Sequence, residues 1–312
     1  MSTVPVISVQ DLRKSYGDFE AVRGIELEVR GGEIFAFLGP NGAGKTTTVE
    51  ILEGYRSRDG GEVTVLGTDP QHADRDWRQR VGFVLQESRL VPELTPSEVL
   101  EQYAGYYAHP RDVAETVSLV GLEEKAGVRT SKLSGGQQRR LDVALAMIGD
   151  PELLFLDEPT TGFDPSARRQ AWDVIAGLRR LGKTIFLTTH YMDEAQTLAD
   201  RVAILSAGRI VASGTPESLA DRGLRTEIRF RLPEGVEAKD LPAGLGTEAR
   251  VDAGMITMNV GDPVPVLREL TTWAERAGLG LPGLTVGAPN LEDVYLELTD
   301  GDPAGGARRA VR

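Results

Sequence analysis

The sequence contains no cysteine and only three histidines, His72, His109 and His190. The absence of cysteine excludes disulfides, thiolate metal sites and cysteine nucleophiles. The histidines are scattered along the chain, so a structural zinc site is not expected. The function must therefore be sought in classes that need neither a disulfide nor a thiolate.

The chain also has no excess of basic residues and no long apolar run. Its 35 basic and 47 acidic residues give a net charge of −12, which argues against a surface made to bind the DNA or RNA backbone, although a local basic patch stays open. No stretch of 18 or more apolar residues occurs, and the first ten residues lack the charged-then-apolar layout of a signal peptide. The sequence predicts a soluble protein that remains inside the cell.

The 312 residues, of which 40% are hydrophobic, are enough for one large core or two ordinary ones, and two domains fit this length better. Apolar alternation predicts strands at Val6 to Val9 and at Ala21 to Val29, which make an antiparallel subdomain. Between them, Tyr16 lies in a predicted turn. From the residues alone, we interpret it as an edge tyrosine that covers the small sheet.

A glycine-rich segment follows the apolar run Ile34 to Leu38. Its glycines let backbone N–H groups turn onto an anion at the start of a helix. Lys45 supplies charge for the outer phosphates of a nucleoside triphosphate, and the Thr46 hydroxyl is a natural ligand for the accompanying magnesium. A glycine-rich turn that merely joins a strand to a helix would not require a lysine followed by a hydroxyl. The predicted binding residues are Gly39, Pro40, Asn41, Gly42, Ala43, Gly44, Lys45, Thr46 and Thr47.

Two adjacent acids, Asp157 and Glu158, follow the buried strand predicted at Leu153 to Leu156. Charged side chains at the end of a buried apolar strand cost free energy unless they have a partner of opposite charge. Magnesium is the obvious partner for Asp157, which leaves Glu158 to orient and deprotonate an attacking water. The alternative, two acids that cap the next helix, is weaker because Asp164-Pro165 already supplies that cap and first turn.

Two more predicted buried strands end on polar residues. Val81 to Leu85 leads to Gln86, and Thr184 to Thr188 leads to His190. Open parallel sheets place ligand-contacting residues at these carboxyl ends. An ordinary capping glutamine is the commoner fate of a residue such as Gln86, whereas for His190 the location favours function over a structural histidine.

Helices predicted to begin near Thr95 and Arg111 form a helical insertion, which spans about residues 87–150. It includes Leu133-Ser-Gly-Gly-Gln137, which precedes an amphipathic run from Gln138 to Ile148. Ser134 alone could be only a helix cap. The two glycines behind it allow an anion to approach the helix start closely, so this is a second candidate phosphate site.

The first domain is predicted to span residues 1–222, and the pattern then changes. Residues 223–300 predict strands at 227–232, 249–260 and 284–286, with helices at 263–277 and 291–298. This small α+β module holds no recognisable chemical constellation, and we interpret it as a packing or dimer-stabilising appendage. Residues 301–312 are rich in glycine, alanine and arginine and predict a disordered tail.

Taken in order, the segments GPNGAGKTT, LSGGQ and LLFLDEPT, with Gln86, Asp164 and His190, resemble the full motif set of an ATP-binding cassette ATPase over roughly the first two thirds of the chain. The resemblance implies an α/β fold of the P-loop NTPase type, with a mixed sheet core, an antiparallel β subdomain and a helical insertion. One departure is Phe163, where the family more often has leucine, and we expect it to alter packing but not chemistry.

The resemblance also implies a head-to-tail homodimer with ATP and Mg²⁺ between the subunits. One subunit contributes the phosphate loop, the metal ligands Thr46, Gln86 and Asp157, and the catalytic residues Glu158, His190 and Gln86. The other subunit contributes Ser134, Gly135, Gly136 and Gln137. It raises Tyr16 to an adenine-stacking residue. It further implies that Gln86 senses the membrane partner, that His190 contacts the γ-phosphate and that Asp164 links the two sites.

The segment from Asn290 to Thr299 resembles the ending of exporter cassettes of the daunorubicin-resistance type. This implies export of drugs, antibiotics or other hydrophobic compounds through a separate integral membrane permease, with the chain at the cytoplasmic face of the membrane. The alternative is a soluble cassette ATPase that acts on ribosomes or DNA, but the single, closely spaced motif set argues against it. A catalytically inactive regulatory cassette fits poorly, because every catalytic position is filled.

Overall fold

The structure is a computed structural model that describes residues 4–84, 90–220, 226–233, 235–242, 245, 249–252, 254–287 and 295. It divides the chain into two compact units, Met1–Pro216 and Glu217–Arg312. The domain ranges 1–222 and 223–300 remain predictions. Leu85 and Gln86, most of the helix predicted at 291–298 and the tail predicted at 301–312 lie outside the described residues.

The first unit combines two sheets with a set of helices. Its strands are β1 (Ile7–Tyr16), β2 (Phe19–Val29), β3 (Ile34–Leu38), β4 (Gly60–Val65), β5 (Val81–Val84), β6 (Leu153–Asp157), β7 (Thr184–Thr189), β8 (Arg201–Ser206) and β9 (Arg209–Gly214). Its helices are α1 (Lys45–Leu52), α2 (Arg75–Gln79), α3 (Pro96–Ala104), α4 (Val113–Leu119), α5 (Gly135–Met147), α6 (Pro165–Arg180) and α7 (Met192–Leu198), and α8 (Pro216–Ala220) lies at the division.

The larger sheet has the strand order β5-β6-β7-β3-β8-β9. The first five of these strands run parallel, and β9 is antiparallel to β8. The smaller sheet, β2-β1-β4, is antiparallel. The predicted mixed sheet and antiparallel subdomain are therefore confirmed.

Successive side chains of the central strands point to opposite faces of the sheet. In β6, Phe155 joins the core cluster shared with the antiparallel sheet, whereas Leu154 and Leu156 join the cluster shared with the helices on the other face. Phe186 of β7 lies on the same face as Phe155, with 5.5 Å between the ring centroids. Apolar burial on both faces fixes the register, because a shift by one residue would exchange the two faces.

The helical insertion is defined by its helix starts. Thr95 caps α3 in a capping box with Glu98, Asp112 caps α4, and Ser134 caps α5 in a capping box with Gln137. The predicted helical insertion is confirmed in the described residues, and α5 begins earlier than the predicted Gln138. The reason is that Gly135 and Gly136 form the first turn behind the Ser134 cap.

In its described residues, the second unit has a four-stranded antiparallel sheet of order β11-β12-β10-β13 and a long helix. These elements are β10 (Thr226–Arg231), β11 (Ala249–Asp252), β12 (Met255–Val260), α9 (Pro263–Ala277) and β13 (Thr285–Gly287). Ile228, Phe230 and Leu270 are fully buried in its core. The predicted α+β character of this part of the chain is confirmed.

Candidate nucleotide site

The loop between β3 and α1 has the backbone shape that an anion site requires. Gly42 and Gly44 have φ angles of 82° and 104°, in the left-handed region that favours glycine. A Cβ at Gly44 would lie 2.4 Å from the carbonyl oxygen of Ala21, so a larger residue would displace the loop. Pro40, Asn41 and Gly42 are exposed, which leaves the outside of the loop accessible to a ligand.

The start of α1 is also suited to an anion. In the part of the chain that the structure describes, no side chain caps this helix start and no acidic residue lies in the first turn. The N–H groups of the first turn and the positive end of the helix dipole therefore face the loop without a negative charge in that turn. A triphosphate fits this arrangement.

Lys45 is the cation of this loop. Its Nζ donates hydrogen bonds to the carbonyl oxygens of Gly39 at 2.6 Å and Pro40 at 3.3 Å. Its side chain is 7% exposed, and its Nζ lies 4.0 Å from Glu158 Oε1. Burial lowers the pKa of Lys45, and the negative charges of Glu158 and Asp157 oppose that shift.

The two acids occupy the carboxyl end of β6. Asp157 pairs in register with Thr188 of β7, whose hydroxyl donates a hydrogen bond to the Asp157 carboxylate. The backbone N–H of Glu158 donates to the carbonyl oxygen of Thr188 at 3.1 Å. Glu158 itself has a φ of 44°, which is unusual for a residue with a side chain. The neighbouring strand thus orients the Asp157 carboxylate and anchors the backbone N–H of Glu158.

Glu158 lies between three polar groups. His190 Nδ1 is 3.4 Å from Glu158 Oε1, and the Thr161 hydroxyl donates to Glu158 Oε2 at 3.1 Å. Burial raises the pKa of Glu158, but His190, Thr161 and Lys45 together outweigh burial and leave the pKa below its ordinary value. Glu158 is therefore ionised at neutral pH and able to accept a proton.

These positions follow from the order of the strands. β7 lies between β6 and β3, so the ends of all three strands meet at one edge of the sheet. β3 leads to the glycine-rich loop, β6 to Glu158 and β7 to His190. The structure thus brings together Lys45, Glu158 and His190, which are far apart in the sequence.

Tyr16 lies beside this loop rather than in the predicted turn. It is the last residue of β1, because β1 extends to the turn that leads into β2. Its hydroxyl is 3.5 Å from the Thr47 hydroxyl, and the ring is 43% exposed. The Arg56 guanidinium lies 5.3 Å from the ring centroid. An exposed aromatic ring next to the phosphate loop is able to stack on a nucleobase.

The LSGGQ segment forms the start of α5. The Ser134 hydroxyl accepts from the N–H of Gln137 at 3.3 Å, and the Gln137 side chain accepts from the N–H of Ser134 at 2.9 Å. Ser134 and Gly135 are exposed, and Gly136 is partly exposed. Residues Ser134 to Gln137 line a groove together with Glu158, Thr161 and Asp164.

Asp164 caps α6 as the sequence predicted. Its carboxylate accepts from the N–H groups of Ser166 at 2.8 Å and Ala167 at 2.9 Å. Because Asp164 caps α6, Asp157 and Glu158 are not needed as caps of that helix. Gln86 lies outside the described residues, so its place relative to the other groups remains a prediction.

Sequence reasoning missed residues that support the acidic pair, among them Thr161, Thr188 and Arg139. Thr188 is one of the hydroxyls at the end of β7, and a search for polar residues next to Asp157 in a parallel sheet would have found it. Arg139 donates to the backbone carbonyl oxygens of Asp157 at 2.6 Å and Pro159 at 3.2 Å. No local pattern predicts that an arginine in a helix reaches those two carbonyls.

Comparison with known proteins identifies the family of the chain. Residues 22–161 match the family model described as ABC transporter. Residues 226–290 match a second model, described as the C-terminal domain of ABC transporter domain-containing protein-like sequences. The chain is 38% identical over 308 residues to Nod factor export ATP-binding protein I of Ralstonia nicotianae, with 96% of this chain and 95% of the relative covered. It is 40% identical over 299 residues to the protein of the same name from Rhizobium etli, with 94% and 93% covered.

Solved structures show the same fold. An ATP-binding subunit of an ABC transporter is 25% identical, with a TM-score of 0.62 over 70% of this chain and 92% of that chain. A cassette in a dimeric post-hydrolysis state with ADP and Pi is also 25% identical, with a TM-score of 0.60 over 67% of this chain and 98% of that chain.

The chain therefore belongs to the ABC transporter family, and its first unit is an ATP-binding cassette that binds and hydrolyses ATP. Within that family it is the ATPase subunit of an exporter. The relatives are named for the export of Nod factor, so the finer resemblance to the daunorubicin-resistance type remains a prediction. None of the described helices has the length and apolarity that crossing a membrane requires.

Proposed function

We propose that this ATPase works as a homodimer with Mg-ATP, bound to a separate integral membrane permease at the cytoplasmic face of the membrane. The observation that carries the proposal is the cluster of Lys45, Glu158 and His190 at the carboxyl edge of the sheet. Lys45 Nζ and His190 Nδ1 lie 4.0 Å and 3.4 Å from the same oxygen of Glu158. A cation that binds the phosphates and a carboxylate that orients and deprotonates water are groups that phosphoryl transfer to water uses, and the imidazole adds a polar contact beside them.

The proton is taken by Glu158. Its lowered pKa keeps the carboxylate ionised, and the Thr161 hydroxyl bond to Oε2 leaves Oε1 facing Lys45 and His190. In this role, Oε1 accepts a proton from the attacking water. His190, whose side chain is 37% exposed, contacts the γ-phosphate, and Lys45 moves from its carbonyl partners to the outer phosphates.

Asp157 and Thr46 hold the magnesium in this proposal, with Gln86 as a further ligand. The Asp157 carboxylate and the exposed Thr46 hydroxyl supply the oxygen ligands that Mg²⁺ prefers. Thr188 donates to one oxygen of Asp157 and so orients the carboxylate. Magnesium, when bound, neutralises negative charge on the phosphates.

The second half of each site comes from the partner subunit. Ser134 and Gly135 are exposed at the start of α5, and a Cβ at Gly135 would meet no atom within 4 Å. This leaves room for a γ-phosphate from the partner to reach the helix start. Tyr16 stacks on adenine, and Asp164 links the two sites. A related cassette forms a dimer with ADP and Pi, which supports this arrangement.

The cargo belongs to the class of drugs, antibiotics or other hydrophobic compounds. Two relatives are named for Nod factor export, and this supports outward transport. No nucleic-acid partner is proposed, because the net charge of −12 disfavours contact with a phosphate backbone. The soluble cassette acting on ribosomes or DNA is accordingly not favoured.

The test combines nucleotide binding with recovery of the partner. Lys45→Ala should weaken Mg-ATP binding and abolish transport, because the lysine is the charge that the loop offers to the outer phosphates. Nucleotide titration of the purified protein measures the affinity, and wild-type affinity in the variant would show that the loop does not bind the phosphates.

A second test concerns the partner. Extraction in detergent should recover the protein with an integral membrane protein. Recovery with ribosomes or nucleic acid that persists at high salt would favour the alternative.

A further inference from the structure

Arg139 is a buried cation that the reaction itself does not use. It lies in the second turn of α5 and is 9% exposed. Burial lowers its pKa, and the nearby carboxylates of Asp142, Asp157 and Glu194 oppose that shift. A buried guanidinium is costly unless it is paired and hydrogen-bonded. Its partners therefore indicate its role.

The two backbone partners of Arg139 lie on either side of Glu158. One nitrogen donates to the carbonyl oxygen of Asp157 at 2.6 Å, and Nε donates to that of Pro159 at 3.2 Å. The guanidinium also lies 3.8 Å from the Asp142 carboxylate on the same helix. Because the guanidinium is planar and its donors are fixed in a fork, it holds the two carbonyls at a set separation.

Glu158 needs such support. Its φ of 44° is a left-handed conformation, which is unfavourable for a residue with a side chain. Strained residues keep their conformation only where the surroundings hold them. On one side Thr188 accepts from the Glu158 N–H, and on the other Arg139 binds the carbonyls before and after it.

We propose that Arg139 is a positioning residue, which holds the backbone around Glu158 so that its carboxylate faces Lys45 and His190. This rests on the proposed role of Glu158 as the base. It also ties the end of β6 to the helix that begins at Ser134, because Arg139 belongs to that helix. A shift of the carboxylate by about 1 Å costs on the order of 100-fold in rate, so the bonds of Arg139 act on turnover rather than on nucleotide affinity.

The next residue offers a matched control. Arg140 also donates to backbone carbonyls, those of Gly121 at 2.9 Å and Val120 at 3.3 Å, but these follow α4 in the helical insertion. Arg139→Gln and Arg140→Gln therefore remove the same kind of bond from the same helix at two different places. Arg139→Lys retains a cation that reaches one of the two carbonyls, and it is available if the glutamine variant does not fold.

The experiment measures kcat, the Kd for Mg-ATP and the unfolding temperature of each variant. We expect Arg139→Gln to lower kcat by about 10- to 100-fold with Kd within about threefold of wild type. Arg139→Lys should recover part of the rate. Arg140→Gln should leave kcat within about twofold, whatever it does to the unfolding temperature. If both glutamine variants lost the same fraction of kcat, and that loss followed the fall in unfolding temperature, the effect would be one of stability and the proposal would be overturned.

A double variant separates this proposal from the role of Glu158. If Arg139 acts through Glu158, Arg139→Gln added to Glu158→Gln should lower the single-turnover rate by less than about threefold, because the group it positions is already gone. Multiplied losses in the double variant would contradict the positioning role. Wild-type turnover in Glu158→Gln alone would instead contradict the proposed function, so the two failures are distinguishable.

Discussion

At the residue scale, the surroundings of two carboxyl groups, Glu158 and Glu53, shift their pKa values in opposite directions. Glu158 is kept ionised by His190, Thr161 and Lys45 against the effect of burial. Glu53, at the end of α1, is 7% exposed and experiences the opposite balance. Burial, together with the negative charges of Asp157 and Glu50, raises the pKa of Glu53 to about 8. Two carboxyl groups of the first unit therefore carry different charges at neutral pH.

The raised pKa of Glu53 predicts a pH-dependent cost to stability. Between the ordinary value of 4.5 and about 8, the folded protein keeps the Glu53 proton while the unfolded chain releases it. The stability that this proton contributes is complete below pH 4.5 and is lost as the pH rises to about 8. Glu53→Gln should therefore gain stability over wild type across that window, by up to about 1.4 kcal/mol per pH unit.

Denaturant unfolding of both proteins at several pH values measures this gain. Glu62→Gln is the matched control, because Glu62 is an exposed residue on β4. A difference between Glu53→Gln and wild type that stays constant from pH 4.5 to 8 would contradict the assignment of the proton.

The sequence placed Glu158 and His190 at one edge because parallel strands carry their carboxyl ends to the same side. It did not predict the supporting contacts of Thr188 and Arg139. The bond from Thr188 depends on its register opposite Asp157, and the bonds from Arg139 depend on how α5 lies against β6. Both are set by packing between distant segments, which no local pattern of residues encodes.

At the element scale, two helices of the helical insertion start with the same device. Thr95 and Ser134 each form a capping box with the residue three positions later. Only Ser134 lies where we propose that a partner's nucleotide binds. Comparison of variants at Thr95 and Ser134 therefore distinguishes the contribution of a helix cap to stability from a role in catalysis.

Thr95→Ala and Ser134→Ala should each destabilise the protein by about 1 kcal/mol through loss of the cap. Only Ser134→Ala should also lower ATP turnover, because its hydroxyl and the open helix start are the proposed contact with the γ-phosphate. Unfolding free energies and steady-state phosphate release measure the two effects. Equal turnover in the two variants would show that Ser134 only caps α5 and has no role in catalysis.

The bounds of elements with a regular spacing of apolar residues were predicted well, whereas the bounds of a strand with a β-bulge were not. The predicted helix from Pro263 to Ala277 matches α9 at both ends. The strand predicted at Val6 to Val9 is wrong in length, because β1 continues to Tyr16. The pairing of β1 with β2 shifts register between Val9 and Leu12, and Asp11 has a φ of 46°. A bulge of this kind breaks the alternation of period two on which the prediction relied.

At the scale of the whole molecule, the two units have separate cores and separate sheets. The residues proposed for ATP binding and hydrolysis lie in the first unit or, like Gln86, within its range. In the second unit, the described residues form an α+β module without a comparable cluster. The sequence predicted this contrast, because the motifs end well before the second unit begins.

Removal of the chain from residue 225 onward should leave the ATP site assembled and weaken the dimer or the complex with the permease. The physical reason is that the core of the first unit is built from its own strands and helices. Nucleotide titration and size-exclusion chromatography of the shortened protein measure the two parts of this prediction. A folded shortened protein that has lost ATP binding would contradict it.

The central claim is that Glu158 takes the proton from water. Glu158→Gln keeps the shape and hydrogen bonding of the side chain but does not accept that proton. Positioned general bases contribute about 10²- to 10⁴-fold, so turnover should fall by that order while Mg-ATP binding remains. With hydrolysis blocked, Mg-ATP should also convert the variant from monomer to dimer in size-exclusion chromatography.

The most direct measurement is the rate of phosphate release from Mg-ATP by purified wild type and Glu158→Gln at saturating nucleotide. The account predicts a loss of at least about 100-fold in the variant, with nucleotide affinity retained. Hydrolysis by Glu158→Gln at the wild-type rate would contradict the role of Glu158, whatever the oligomeric state of the variant.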